Sequence, residues 1–247
     1  MSMRTLILAV LFVSATASEP AAKYDAYIRA TEDRVQHEVR SPTWLWAERS
    51  PARLQLVRNG QVVVEPWSGT GDIAMGDATI HDWIGAVFVP GVKLDRVVSF
   101  LQDYPSHENY YRPEVVDTRL LSHDGDDWKI RFRLVEHKII TVVLEVDQTV
   151  NYYPVTITRL YSSARSTRIA DVRAKPGKDR GFLWRLNTWW RLEEKDGGVY
   201  IECQAISLTR PPPAGLGWLI NPIVRTFPRD SLARLLTATR NAVLSRR

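Results

Sequence analysis

The order of secondary-structure patterns between Thr79 and Val243 is the feature that most constrains the fold of this 247-residue chain. An apolar strand pattern over Ile80 to Val89 is followed at once by an amphipathic helix pattern over Val92 to Asp103. A long series of strand patterns comes next, and an amphipathic helix over Asp230 to Val243 closes the chain. Because a sheet with one apolar face needs a cover, we predict an α+β fold in which a curved antiparallel sheet wraps around a long C-terminal helix and encloses a pocket.

The series of strands is predicted from alternation and turn signals. Four apolar side chains alternate with charged ones in a clear half-buried strand, namely Trp128, Ile130, Phe132 and Leu134. Further strands are predicted over 115–122, 139–147, 155–161, 182–190 and 199–209, and a basic loop is predicted over 164–179. Trp184 and Trp190 are assigned to one face of their strand. Trp189, next to Trp190, should point to the opposite face.

The first 17 residues have the pattern of a secretory signal peptide. Arg4 supplies a positive start, residues 6–13 are apolar, and Ala15-Thr16-Ala17 resembles a cleavage site. The apolar run is shorter than the roughly 20 residues that span a bilayer. We therefore expect cleavage near Ala17 and an exported product, periplasmic or secreted.

Residues 18–75 are interpreted as an N-terminal extension outside the sheet, which would be formed by residues 76–247. Tyr24, Ile28 and Val35 lie at near-helical spacing and predict a short helix. Asn59-Gly60 between two short apolar runs predicts a hairpin. The Gly-rich stretch over residues 68–76 is predicted to be a connection.

Composition argues against several function classes. The net charge of +5 is mild, and the basic residues are dispersed among acidic ones, so we expect no nucleic-acid partner. Cys203 is the single cysteine, which excludes an internal disulfide and indicates a buried core position. No histidine pairs with a second ligand at zinc spacing, and nucleotide-binding and hydrolase motifs are missing. We predict no metal, no cofactor and no catalytic residue.

Several segments resemble the START-like superfamily, also called SRPBCC or helix-grip. The segments that carry the resemblance are residues 81–90 (HDWIGAVFVP), 97–104 (VVSFLQDY), 181–186 (GFLWRL), 198–203 (GVYIEC) and 217–229. The chain is similar in particular to secreted bacterial members of unassigned role. The resemblance implies a pocket for an apolar or amphipathic ligand between the sheet and the last helix, and most members of the group are not enzymes.

The candidate ligand-binding residues are mostly large aromatic side chains, because ligand pockets are mainly apolar with a few polar anchors. The predicted set is Trp83, Tyr104, Tyr110, Trp128, Phe132, Trp184, Trp190, Glu202 and Leu235. An equally good interpretation is that the aromatic residues fill the core. The loop over residues 104–111 is either a gate to the pocket or a Tyr-rich loop packed on the sheet end. Glu202 is a polar anchor or a partner of Arg185.

Three functions remain open. The first is an exported carrier that holds a lipid or an isoprenoid-like molecule. The second is a cyclase- or hydratase-type enzyme, with Glu202, His137 or Tyr161 as acid or base. The third is a periplasmic module that binds another protein. Transient contact with an anionic membrane surface would use a set of basic residues, namely Arg165, Arg168, Arg173, Lys175, Lys178 and Arg180.

Overall fold

The computed structural model describes residues 19–137, 141–173, 182–210 and 217–246, apart from the side chains of residues 136, 137 and 217–225. The predicted signal peptide and residues 174–181 of the basic segment lie outside the described residues. The helices are α1 (Glu19–Val39), α2 (Pro51–Arg58), α3 (Leu94–Gln102) and α4 (Gly217–Ser245), with short 3-10 helices at Ala47–Arg49 and Tyr104–Asn109. The strands are β1 (Val63–Pro66), β2 (Asp72–Met75), β3 (Ala78–Pro90), β4 (Val115–Asp124), β5 (Asp127–His137), β6 (Thr141–Thr156), β7 (Arg159–Asp171), β8 (Leu183–Lys195) and β9 (Gly198–Thr209).

The strands form one curved antiparallel sheet, which confirms the predicted α+β fold. Their order is β1-β3-β9-β8-β7-β6-β5-β4, and β2 pairs with β3 next to β1. The turn between β8 and β9 has positive φ at Asp196 and Gly197. The terminal helix begins at Gly217 rather than at Asp230.

Alternation along the central strands gives the sheet two buried faces. On β3, Val87 and Val89 pack with α3 and α4, whereas Ile84, Ala86 and Phe88 pack with α1 and α2. We call the first the inner face and the second the outer face. The inner face has the terminal helix as its cover, as the sequence predicts, but the second cover was not predicted.

The C-terminal half of α4 approaches the sheet closely at Gly85 of β3. A Cβ atom at this position would lie 2.6 Å from Cδ1 of Leu236 and 3.1 Å from the carbonyl oxygen of Val63. This half of α4 therefore packs directly against β3. Leu232, Leu236 and Val243 are almost completely buried there.

The N-terminal extension differs from its prediction in two ways. The helix signal is confirmed, as α1, but the segment before Asn59-Gly60 is helix α2 and not a hairpin strand. Pro51 stands in the first turn of α2, and Gly60, at φ +82°, takes the chain out of the helix. The interpretation of residues 18–75 as lying outside the sheet is wrong for β1 and β2, and β2 also replaces part of the predicted connection over residues 68–76.

The central strands are longer than predicted. A turn at residues 157–158 interrupts the predicted strand over 155–161, and β7 occupies residues 159–171, where a loop was expected from residue 164. Two of the basic residues that suggested a loop, Arg165 and Arg168, lie on the outer face of the sheet, where Arg165 pairs with Glu32 and Arg168 approaches Glu145. Ion pairing on one face therefore makes a polar strand stable here.

Candidate functional site

The inner face is closed at the end that holds α3 and the 3-10 helix after it. The hydroxyl groups of Tyr104 and Tyr152 are 2.6 Å apart, and those of Tyr111 and Thr239 are 2.9 Å apart. His107 packs among these rings, and its Nε2 donates to the carbonyl oxygen of Phe100 at 3.0 Å. Of the two interpretations of residues 104–111, the packed loop describes the structure.

Burial changes the protonation of this closed end. It raises the pKa of Tyr104, Tyr111 and Tyr152 above the ordinary tyrosine value, and it lowers the pKa of His107 to about 4. Nδ1 of His107 is buried without a hydrogen-bond partner. These groups are therefore neutral members of a packed cluster.

Beside this closed cluster, the inner face is only partly buried. The partly exposed apolar side chains there come from β3, β5, β8, β9 and α4, and they are Trp83, Phe132, Leu134, Trp190, Ala205 and Leu235. We call this set the inner groove. Ala205 lies in its floor, paired with Trp83 on one side and with Thr188 on the other. An apolar surface of this kind, covered by a helix on one side, is suited to an apolar ligand.

One polar group borders the groove without a partner. Gln148 is 7% exposed and pairs with Ile130 across the strands, which places it on the inner face. Its side-chain amide makes no hydrogen bond to another described residue. The side chain of Gln148 is therefore suited to hold a polar atom of a ligand. Nε1 of Trp83 is also buried without an acceptor, but it lies against Gly71 in the turn before β2.

The structure places the predicted ligand-binding residues on both faces. Seven of them lie on the inner face, namely Trp83, Tyr104, Tyr110, Trp128, Phe132, Trp190 and Leu235. Trp128 stacks on His123 at the β4–β5 edge, and Tyr110 packs against Phe100 and Arg246, so neither faces the open part of the groove directly. Gln148 was missed because a polar residue on a long strand gives no sign of its face.

Trp184 and Glu202 lie on the outer face, which corrects their predicted placement. An irregularity in the register between Leu183 and Arg185 leaves Trp184 as an extra residue in β8, so its side chain turns away from the face of Trp190. The guanidinium of Arg210 stacks over the Trp184 ring at 4.5 Å. By contrast, Trp189 and Trp190 point to opposite faces as predicted.

Glu202 is the centre of a buried network that anchors the N-terminal segment. Its carboxylate accepts the backbone N–H groups of Trp46 and Ala47 at 2.9 and 2.8 Å. Its charged partner is Arg191, at 4.0 Å, and not Arg185; Arg191 also pairs with Glu38 of α1. Burial raises the pKa of Glu202 and lowers that of Arg191, while their mutual attraction acts in the opposite direction. This arrangement holds α1 and the first 3-10 helix on the sheet.

The acid–base candidates of the enzyme hypothesis do not come together. Glu202 and Tyr161 are on the outer face, where the Tyr161 hydroxyl accepts from Gln36 at 2.8 Å, and the side chain of His137 lies outside the described residues. Cys203 is buried on the inner face, and burial raises the pKa of its thiol. No group of three metal-ligating side chains occurs within the described parts of the chain. None of the helices in those parts is both long and apolar enough to cross a membrane.

Comparisons with known proteins agree with this architecture. No protein-family model and no curated protein sequence matches the chain. The STAR-related lipid transfer protein from Xanthomonas axonopodis is 17% identical, with a TM-score of 0.50 over 73% of this chain and 100% of that one. The fold is the START-like helix-grip fold.

Two further solved structures are similar to this chain over most of their own length. The Zhui aromatase/cyclase from a Streptomyces species is 12% identical, with a TM-score of 0.52 over 68% of this chain and 95% of that one. A protein from Thermus thermophilus is 14% identical, with a TM-score of 0.50 over 66% of this chain and 96% of that one. At such low identities the likeness shows the fold alone.

Proposed function

We propose that this protein binds a hydrophobic ligand, a lipid or an isoprenoid-like molecule, in the inner groove and acts as an exported carrier. The observation that carries the proposal is the change in burial along one apolar face. Val89, Leu101 and Tyr152 are buried at the closed end, whereas Trp83 and Trp190 are only partly buried although they pack against the same core. A ligand would complete this core.

The energetics favour a long apolar ligand. Each CH₂ group transferred from water contributes about 0.8 kcal/mol. Several such groups in contact with the groove give useful affinity without strong polar contacts. Gln148 would orient the ligand, because its side-chain amide can donate to an oxygen atom of the ligand.

The similar structures and the sequence support different parts of the proposal. One similar structure is, by its name, a lipid transfer protein, which supports a hydrophobic ligand. Another is named an aromatase/cyclase, so an enzyme acting in the same groove is the alternative. Export is supported by the pattern of residues 1–17, and transient membrane contact by the basic residues of β7.

Filling the groove tests the proposal. Ala205→Phe puts a ring between Trp83 and Thr188, and we expect it to weaken binding of the uncharged probe N-phenyl-1-naphthylamine about 10-fold, since the ring would occupy ligand space. Fluorescence titration gives the affinity, and urea unfolding verifies that the variant is folded.

The matched control is Thr237→Phe, which adds the same ring to the exposed side of α4. It should leave probe affinity unchanged. A folded Ala205→Phe variant that binds the probe as well as the original protein would contradict the groove as the ligand site.

A further inference from the structure

The sheet forks on its outer side between β7 and β8. Their ladder ends at the pair Arg165 and Asn187, beyond which β7 continues along β6 and β8 along β9. The backbone N–H of Leu186 then donates to Oγ of Ser166 at 2.9 Å instead of to a backbone carbonyl. Helix α1 passes over the fork, and a cleft of about 280 Å³ lies between them. We call it the fork cleft.

The fork cleft is rich in positive charge. Three arginines line it, Arg29, Arg165 and Arg185, together with one acidic residue, Asp25. Arg165 is paired with Glu32 at 2.6 Å. Among the described residues, neither Arg29 nor Arg185 forms an ion pair, so both charges are available to a ligand.

An amide donor also lines the fork cleft. Asn187 is 3% exposed, and its Oδ1 accepts from the hydroxyl of Tyr24 at 3.0 Å, which fixes the orientation of the amide. Its Nδ2 donates to no other described residue. This donor is therefore available on the wall of the cleft, where arginine side chains border it. The combination of cations and an available donor favours an anion with several acceptor oxygens.

We propose that the fork cleft binds a phosphate or carboxylate group. Planar guanidinium groups match these anions with paired hydrogen bonds, and Asn187 supplies a fixed third donor. The group comes either from a free anion or from the headgroup of a lipid. This site is on the outer face and stands independently of the inner groove.

The experiment compares two probes by isothermal titration calorimetry with the full chain. Inorganic phosphate represents the free anion, and lysophosphatidic acid below its micelle concentration represents a headgroup. The variants are Arg29→Gln with Arg185→Gln, both at exposed positions, and Asn187→Asp, which keeps the acceptor for Tyr24 but repels an anion. The control, Arg119→Gln with Lys129→Gln, removes two positive charges from the exposed β4–β5 edge.

We expect the double arginine variant and Asn187→Asp each to weaken binding about 10-fold, and the control to change it little. Loss for both probes would support a site for free anions, and loss for lysophosphatidic acid alone would support a headgroup site. Equal affinities in the original protein and both cleft variants, or no binding of either probe, would overturn the proposal. Neither result would affect the Ala205→Phe test, because that probe is uncharged.

Discussion

The two faces of this sheet are both covered by helices, but they differ in how their polar groups are satisfied. On the outer face, Glu202 and Arg191 are fully buried and joined to α1 and the first 3-10 helix. On the inner face, Gln148 has no side-chain partner among the described residues, and Trp190 is only half buried. The difference indicates that the outer face is a permanent contact within the chain, whereas the inner face has room for a ligand.

The largest effect should come from the outer network. Glu202→Gln removes the negative charge opposite Arg191 and turns an N–H₂ group toward backbone donors. Because it leaves a buried cation less compensated, we expect a loss of about 3–5 kcal/mol in the free energy of unfolding. Urea denaturation measures it.

The control for this change is Glu32→Ala, which breaks the exposed pair with Arg165 between the same α1 helix and the sheet. It should cost about 1 kcal/mol or less. Similar losses in both variants would mean that the outer network does not anchor the N-terminal segment in a special way.

Trp189 and Trp190 compare the faces at adjacent positions of one strand. Trp189→Ala empties a closed core, with an expected cost of about 3–5 kcal/mol, because Trp189 is 3% exposed on the outer face. Trp190→Ala should cost about 1–2 kcal/mol, since its half-buried side chain loses less contact. Thermal and urea unfolding of both variants measure the difference, and equal costs would argue that the inner face is as closed as the outer one.

The closed end of the inner face should respond to pH through His107. Its folded-state pKa of about 4 is below the unfolded value near 6.5, so the unfolded chain binds the proton first. The neutral His107 therefore makes its full contribution to the free energy of unfolding above pH 6.5. This contribution falls by about 3 kcal/mol as the pH drops from 6.5 to 4.

Urea midpoints measured between pH 8 and pH 4 check this dependence in the original protein and in His107→Phe. The variant keeps an aromatic ring but has no proton to bind, so its stability should fall less over this range. If the urea midpoints of the two proteins depend on pH in the same way, His107 is not buried in the cluster.

Gly85→Ala tests the close contact between α4 and β3. Gly85→Ala would put a methyl group within 2.6 Å of Leu236 and should cost about 1–3 kcal/mol in stability. The double variant with Leu236→Ala should lose less than the sum of the two single changes, because the added methyl then enters the space that Leu236 leaves. Additive losses, measured by urea unfolding, would mean that the two residues do not touch.

The inner face could be predicted from sequence because its signals are local. The alternation on β5, the opposite directions of Trp189 and Trp190, and the terminal helix all follow from spacing within single elements. These signals were sufficient for the fold and for most of the inner-face residues.

The outer face could not be predicted, because its contacts join distant parts of the chain. Glu202 meets Trp46 across 156 residues, and no local pattern pairs a strand glutamate with two backbone N–H groups. The extra residue in β8, which turns the side chain of Trp184 to the outer face, also has no sequence signal, since it preserves the alternation of residue types. The fork cleft depends on where one ladder stops, which the sequence does not mark.

Native mass spectrometry of the purified protein, followed by organic extraction and identification of any bound molecule, tests whether the protein holds a hydrophobic ligand. We expect the protein to carry one hydrophobic molecule per chain and the Ala205→Phe variant to carry much less. A protein that is purified empty, and that binds no member of a lipid and isoprenoid panel, would contradict this expectation.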